Sequence, residues 1–235
     1  MITGLAFCPH PPLLFPELAG GAASDTESLR VACDAAIRAV LATRPELVVL
    51  IGTGPTTGPL PGTASGTLQG FGVELSVPLD PAAIGGTGGL PLSLTVGTWL
   101  LTRADWPGDR TAVMVAADAS PAQCRALGEG LAAGPRRTAL LVLGDGSITR
   151  TERAPGSLDP DGEVFDAEVA TALRDADLAG ISALDPARAA SLGAVGRAPW
   201  QVASAAAAVQ GRVWSGSVWF DQAPLGVGYL VASWI

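Results

Sequence analysis

The sequence predicts a single α/β domain spanning residues 1–235, with a mixed, mostly parallel sheet and helices on both faces. Three apolar runs, at residues 47–51, 111–116 and 138–143, show no alternation with polar residues. Continuous runs of this kind are typical of parallel strands that are buried on both faces. Helical patterns separate the runs, and a succession of strand, helix and strand predicts βαβ units. We find no linker and no internal repeat, so one domain is expected.

The helices are predicted from periodicity and capping residues. Residues 24–44 carry a core-facing stripe, with Ser24 and Glu27 spaced as a capping box and Pro45 as the stop. Ser120 and Pro121 open a second helix, because a cap residue is followed by a proline that the first helical position tolerates. Further helices are expected over residues 92–103, 166–177, 185–193 and 200–209. The tail, residues 212–235, is predicted to form two strands.

Residues 58–93 are rich in Gly, Thr, Ser and Pro, with one strand expected at residues 72–79. A loop-rich excursion of this length inside a compact domain is usually functional. We therefore predict an insertion that covers a substrate.

The composition excludes several classes of function. With 48% apolar and 15% charged residues, the chain can bury a large core. The net charge of −8 argues against a nucleic-acid partner and against an anionic membrane surface. All 14 basic residues are arginine, which excludes lysine Schiff-base chemistry and a P-loop lysine. Three cysteines without CxxC spacing, and no apparent leader or membrane span, predict a cytoplasmic protein.

The stretch that carries most chemical information is Cys8-Pro9-His10-Pro11-Pro12, which contains the only histidine of the chain. Residues 2–7 are predicted to form a buried strand, and the prolines prevent its continuation. His10 is therefore expected at a rigid strand exit. In open α/β sheets, ligands bind at the carboxyl ends of the strands. The alternative is a surface histidine in a proline-rich turn.

A second polar exit is predicted at Gly144-Asp145-Gly146-Ser147, where an acidic residue and a hydroxyl follow a buried strand together. The alternative is a turn in which the Asp side chain bonds its own backbone. A third exit, Gly52-Thr53-Gly54-Pro55-Thr56-Thr57, lacks the last glycine of a dinucleotide-binding motif. Because Pro55 also prevents a helix from starting there, no nucleotide cofactor is expected.

Several motifs, in this order and spacing, resemble the B-type catalytic chain of class III extradiol ring-cleavage dioxygenases in its compact bacterial form, a relative of the Memo proteins. The resemblance spans nearly the whole chain. It is carried by Cys8-Pro9-His10-Pro11-Pro12-Leu13-Leu14, Leu50-Ile51-Gly52-Thr53-Gly54-Pro55, Gly144-Asp145-Gly146-Ser147, Gly196-Arg197-Ala198-Pro199-Trp200-Gln201 and Gly226-Val227-Gly228-Tyr229.

The resemblance implies a non-haem Fe(II) centre held by two histidines and a carboxylate, with a further histidine as acid/base. His10 matches the first histidine ligand. Thr57 stands where the family has the second ligand, and Ile148 stands where it has the acid/base histidine. No residue of this chain is matched to the third ligand.

The resulting candidate site has six members: His10 as metal ligand, Asp145, Ser147 and Thr57 as catalytic residues, and Pro11 and Thr56 as substrate contacts. A threonine hydroxyl is a poor Fe(II) ligand, so iron-dependent ring cleavage is not expected. A substitute site that uses Cys8 with His10 and Asp145 is the alternative.

Three functions remain open. The first is a dioxygenase-like enzyme with altered ligands that acts on a small aromatic molecule. The second is a non-catalytic relative that binds a small molecule or a partner protein. The third is metal-free catalysis in which His10 and Asp145 form an acid/base pair. A homodimer is also predicted, because four of the six tryptophans lie in the last quarter of the chain.

Overall fold

A computed structural model describes residues 1–20, 23–82, 86 and 88–235, with the side chains of residues 23–25 left aside. The strands are β1 (Ile2–Cys8), β2 (Leu47–Gly54), β3 (Gly58–Pro59), β4 (Ser65–Thr67), β5 (Ser76–Pro78), β6 (Asp109–Ala116), β7 (Thr138–Leu143), β8 (Gly216–Gln222) and β9 (Tyr229–Trp234). The helices are α1 (Pro16–Ala19), α2 (Ala23–Leu41), α3 (Leu92–Arg103), α4 (Pro121–Ala132), α5 (Pro160–Asp175), α6 (Leu178–Ser182), α7 (Pro186–Ser191) and α8 (Arg197–Ala208).

The main sheet has seven strands in the order β3-β6-β2-β7-β1-β9-β8. Its centre is parallel, because β6, β2, β7 and β1 pair side by side in one direction. Each flanking strand pairs antiparallel with its inner neighbour: β3 with β6, β9 with β1, and β8 with β9. The prediction of one mixed, mostly parallel sheet that contains all four buried strands is confirmed.

Helices cover both faces of the sheet, as predicted. On one face, α2 and α3 pack against the sheet around Leu29, Ile37 and Leu94. On the other face, α4, α5 and α8 pack around Phe165 and Trp200. Because the central strands are buried on both sides, their sequences need no polar alternation.

Some boundaries differ from those expected. Helix α5 begins at Pro160, not at residue 166, because Asp159 caps it by accepting from the Asp161 amide at 2.9 Å. Helix α8 begins at Arg197, since the first turn of a helix tolerates Pro199. Helix α4 has the predicted cap: Ser120 and Gln123 form a reciprocal capping box. The predicted box at Ser24 lies outside the described side chains.

Within its described residues, the excursion after β2 contains β3, a 3₁₀ turn and the two-stranded ribbon β4–β5. Of the expected strand at residues 72–79, residues 76–78 form a strand. The ribbon packs closely against α3, where a Cβ on Gly66 would lie 2.0 Å from Thr95 Oγ1. Its role as a cover over a substrate remains a prediction.

The tryptophans of the tail lie mostly in the core. Trp200, Trp214 and Trp234 are buried, and only Trp219 is substantially exposed. Burial within the chain removes most of the reason for the predicted dimer surface, and the dimer stays a prediction. None of the described helices is long and apolar enough to cross a membrane.

Candidate functional site at the carboxyl edge of the sheet

The exits of β1 and β7 lie side by side because these strands are parallel neighbours. Cys8 is in register with Leu143, and the Gly144 amide donates to the Cys8 carbonyl at 3.0 Å. His10 and Asp145, each two residues beyond this pair, therefore meet at the carboxyl edge of the sheet, as the sequence predicted.

His10 and Asp145 are in direct contact. The His10 backbone N–H donates to Asp145 Oδ1 at 2.7 Å, and the ring Nδ1 lies 3.6 Å from the same oxygen. The two side chains are only 11% and 14% exposed. Nδ1 is buried and has no hydrogen-bond partner within the part of the chain that the structure describes. The imidazole thus lies against a carboxylate with its Nδ1 unpaired.

Tyr229 is a further polar residue near this edge that was not selected from the sequence. Strand β9 pairs antiparallel with β1, with Phe7 opposite Ala232, so Tyr229 at the start of β9 lies toward the same end of the sheet as the exit of β1. Burial raises the pKa of the Tyr229 phenol, and the charge of Asp145 raises it further. The hydroxyl therefore keeps its proton and can donate it in a hydrogen bond. Tyr229 is the only tyrosine of the chain and ends the motif Gly226-Val227-Gly228-Tyr229, which was the available signal.

Two buried thiols lie behind the site. The thiols of Cys8 in β1 and Cys33 in α2 interact with each other. This interaction, together with burial and the charges of Asp34 and Asp145, raises the pKa of the Cys33 thiol well above its ordinary value. Cys33 is therefore a protonated, inert thiol rather than a nucleophile.

Helix α8 supports the exit of β7 from the other side. The Gly196 amide donates to the Asp145 carbonyl at 2.9 Å, and a Cβ on Gly144 would lie 2.4 Å from the Gly196 Cα. Glycine is required at position 144 because the backbones approach this closely. From β2, Thr53 Oγ1 donates to the Val195 carbonyl at 2.7 Å, which ties a third strand exit to the same segment.

The remaining predicted site residues take no part in the contact between His10 and Asp145. Thr56 and Thr57 are exposed, and Thr57 Oγ1 accepts from the Ala116 amide at the end of β6, away from β7. Pro11 lies beside His10 but is buried, and its carbonyl accepts from the Leu14 amide. Ser147 is fully buried, and its Oγ lies 2.7 Å from Asp166 Oδ2. The structure thus brings together His10 and Asp145 and leaves Thr57 outside this contact.

Comparison with known proteins informs the fold alone. No family model matches the chain, and no curated protein matches it. A solved structure that is similar over 99% of both chains is the crystal structure of the uncharacterized protein JW3007 from Escherichia coli K12, with a TM-score of 0.57 and 15% identity. The likeness supports the α/β architecture along the whole chain.

The donors at this edge do not fit the Fe(II) centre that the resemblance implies. That centre needs two imidazoles and a carboxylate, and His10 is the only histidine of the chain. The hydroxyl of Thr57 accepts from the Ala116 amide of β6, and Cys8 is buried within the core. Within the described residues, no group of three or more His, Cys, Asp or Glu side chains is arranged to hold a metal ion.

Proposed function

We propose that this protein keeps the architecture of a class III extradiol dioxygenase-like protein without its iron chemistry, and that it binds a small phenolic molecule at the carboxyl edge of the sheet. The observation that supports this proposal is the His10–Asp145 pair, which is nearly buried yet keeps hydrogen-bonding capacity. The resemblance of the sequence motifs to the dioxygenase family suggests the aromatic character of the ligand.

The free hydrogen-bonding groups suit a vicinal diol. Asp145 Oδ1 already accepts from the His10 amide, whereas Oδ2 has no hydrogen bond to any described residue. We take Nε2 of His10 as the second acceptor. A catechol presents two adjacent O–H donors, which match one carboxylate oxygen and one ring nitrogen that accepts a hydrogen bond. The Tyr229 hydroxyl supplies a donor for the lone pairs of a catechol oxygen.

A second candidate function is proton transfer without a metal. Asp145 Oδ1 lies only 3.6 Å from Nδ1, so a small rotation of the ring would form the hydrogen bond that orients an imidazole as a general base. Its Nε2 would then face the ligand. Deuterium incorporation from D₂O into an enolisable 1,3-diketone, measured on metal-free protein, tests this function. Incorporation no faster than that of the His10→Gln variant rejects it.

The binding proposal is tested by titrating catechol into untagged, chelator-treated protein and following the ring resonances of His10 by NMR. Because the chain has one histidine, these resonances need no assignment. We expect a saturable shift with a stoichiometry of one. We also expect Asp145→Asn to weaken binding by about 10-fold or more, the usual effect of losing a hydrogen bond to a charged group.

The matched control is Asp175→Asn, which removes the same charge from an exposed position on α5. This variant should bind catechol as the wild type does. An absence of saturable shift in the wild type would refute the proposal, as would equal affinity in Asp145→Asn.

A further inference from the structure

The segment that carries Asp145 and the turn that leads to Tyr229 are joined by reciprocal backbone hydrogen bonds. The Gly146 amide donates to the Gly228 carbonyl, and the Gly228 amide donates to the Ser147 carbonyl, both at 2.8 Å. These bonds connect the neighbours of Asp145 directly to the neighbour of Tyr229. The relative placement of the two site residues therefore depends on this junction.

The carboxylate of Asp166, which projects from α5, lies inside the junction and is fully buried. Its Oδ1 accepts from the Ser147 amide at 2.8 Å, and its Oδ2 accepts from Ser147 Oγ at 2.7 Å. Both oxygens thus hold the same residue, two positions after Asp145. A buried carboxylate normally requires such partners, because leaving it unpaired is costly.

Arg150 balances the negative charge of the Asp166 carboxylate. Its Nη1 donates to Asp166 Oδ2 at 3.1 Å, and its Nη2 lies 3.5 Å from the exposed Glu163. The Arg150 amide also donates to the Gly226 carbonyl at 3.1 Å, which adds a further bond between the two segments.

Two glycines let both segments approach the same carboxylate. A Cβ on Gly146 would lie 2.4 Å from Asp166 Oδ1, and a Cβ on Gly228 would lie 2.0 Å from Oδ2. A real Cβ atom cannot lie this close to a carboxylate oxygen. Asp166 therefore occupies the space that side chains at both positions would need, and it contacts both segments at once.

We infer that Asp166 is a positioning residue that fixes Asp145 relative to Tyr229 by holding Ser147 on one side and Gly228 on the other. The inference rests on the proposed function, since it assigns these two residues to one binding site. Asp166 itself is buried behind the junction and does not touch the ligand.

The test uses Asp166→Asn, which keeps the shape of the side chain. The amide oxygen can still accept from the Ser147 N–H, but the amide nitrogen faces Arg150 as a second donor and repels it. We expect a folded protein whose His10 ring resonances are shifted in the absence of ligand and whose affinity for catechol is about 10-fold weaker. Asp175→Asn, on the same helix but exposed, should change neither readout.

Ser147→Ala provides a second test if Asp166→Asn fails to fold. It removes the hydroxyl contacts with Asp166 and with the Gly162 carbonyl and leaves the backbone bonds in place. We expect the His10 resonances to shift in the same direction, with about a threefold loss of affinity, less than in Asp166→Asn because the bond from the Ser147 amide to Asp166 remains. Wild-type resonances and affinity in a folded Asp166→Asn, or in Ser147→Ala, would overturn the inference.

The resonances of His10 in the ligand-free protein separate this inference from the proposed function. If wild-type protein does not bind catechol, the proposed function fails, while a shift in Asp166→Asn that is absent from Asp175→Asn still supports the positioning role. If catechol binds to wild type and to Asp166→Asn alike, only the positioning role fails.

Discussion

Asp145 Oδ1 lies 2.7 Å from the backbone nitrogen of His10, although 135 residues separate them in the chain. The carboxylate thus fixes the backbone of the proline-rich exit of β1, and it also faces the imidazole of the same residue. One side chain determines where the only histidine lies and what charge it faces. Asp145 is therefore the residue on which the proposed site most depends.

The first prediction concerns Asp145→Asn and the only tyrosine. Burial is the main cause of the raised pKa of Tyr229, and the charge of Asp145 adds to it. Removing the charge should lower the pKa of Tyr229, although not to its ordinary value. Absorbance of the phenolate during an alkaline titration measures this shift, with Asp175→Asn as control. An unchanged or higher pKa in Asp145→Asn would show that the two side chains do not interact.

The second prediction concerns Gly228→Ala. The added methyl group would lie 2.0 Å from Asp166 Oδ2, so the junction must shift. We expect the free energy of unfolding to fall by about 1–3 kcal/mol, the usual cost of overpacking. Urea denaturation measures the loss. Gly62→Ala is the matched control, since an added Cβ there meets nothing within 4 Å. Equal stability of the two variants would mean that Gly228 and Asp166 are packed less closely than these distances indicate.

The third prediction concerns pH. Burial raises the pKa of Asp166 above 3.8, and this effect outweighs the hydrogen bonds from Ser147 and Arg150. The folded state then binds this proton more tightly than the unfolded chain does. The stability contributed by Asp166 is therefore fully present below pH 3.8 and declines as pH rises through the folded pKa.

Urea denaturation of wild type and Asp166→Asn across this range isolates the contribution. The free energy of unfolding of wild type relative to the variant should decrease as pH rises above about 4. Other titrating groups, such as Asp161, whose pKa is lowered by Arg188, are shared by both proteins and cancel in the difference. A difference that increases with pH would contradict the raised pKa.

Much of the fold could be predicted because burial on both faces leaves a continuous apolar run in the sequence. Strand β7 matches the predicted range of residues 138–143, and α3 matches residues 92–103. The start of α5 could not be predicted in this way. Its first turn, Pro160-Asp161-Gly162-Glu163, has the composition of a loop, and the cap at Asp159 lies in a segment with other turn residues.

Site residues could be predicted from the sequence only where they directly follow the end of a buried strand. His10 and Asp145 both follow buried parallel strands, so topology alone brings them to one edge. Tyr229 begins an antiparallel strand, and its position depends on a register that the sequence does not specify. Asp166 is 19 residues from Ser147 in the chain, and its sequence neighbourhood indicates only the exposed face of a helix.

We propose that this architecture persists without iron chemistry, and anaerobic reconstitution with Fe(II) is the decisive test of that claim. Metal analysis after removal of loosely bound iron, followed by oxygen uptake with a panel of catechols, gives the two readouts. Loss of one imidazole donor weakens a site by more than the roughly 10- to 100-fold that outer-shell changes cost. We expect less than one tightly bound iron per chain and no oxygen uptake above the His10→Ala variant. One tightly bound iron per chain, with catechol-dependent oxygen uptake that His10→Ala abolishes, would contradict the claim.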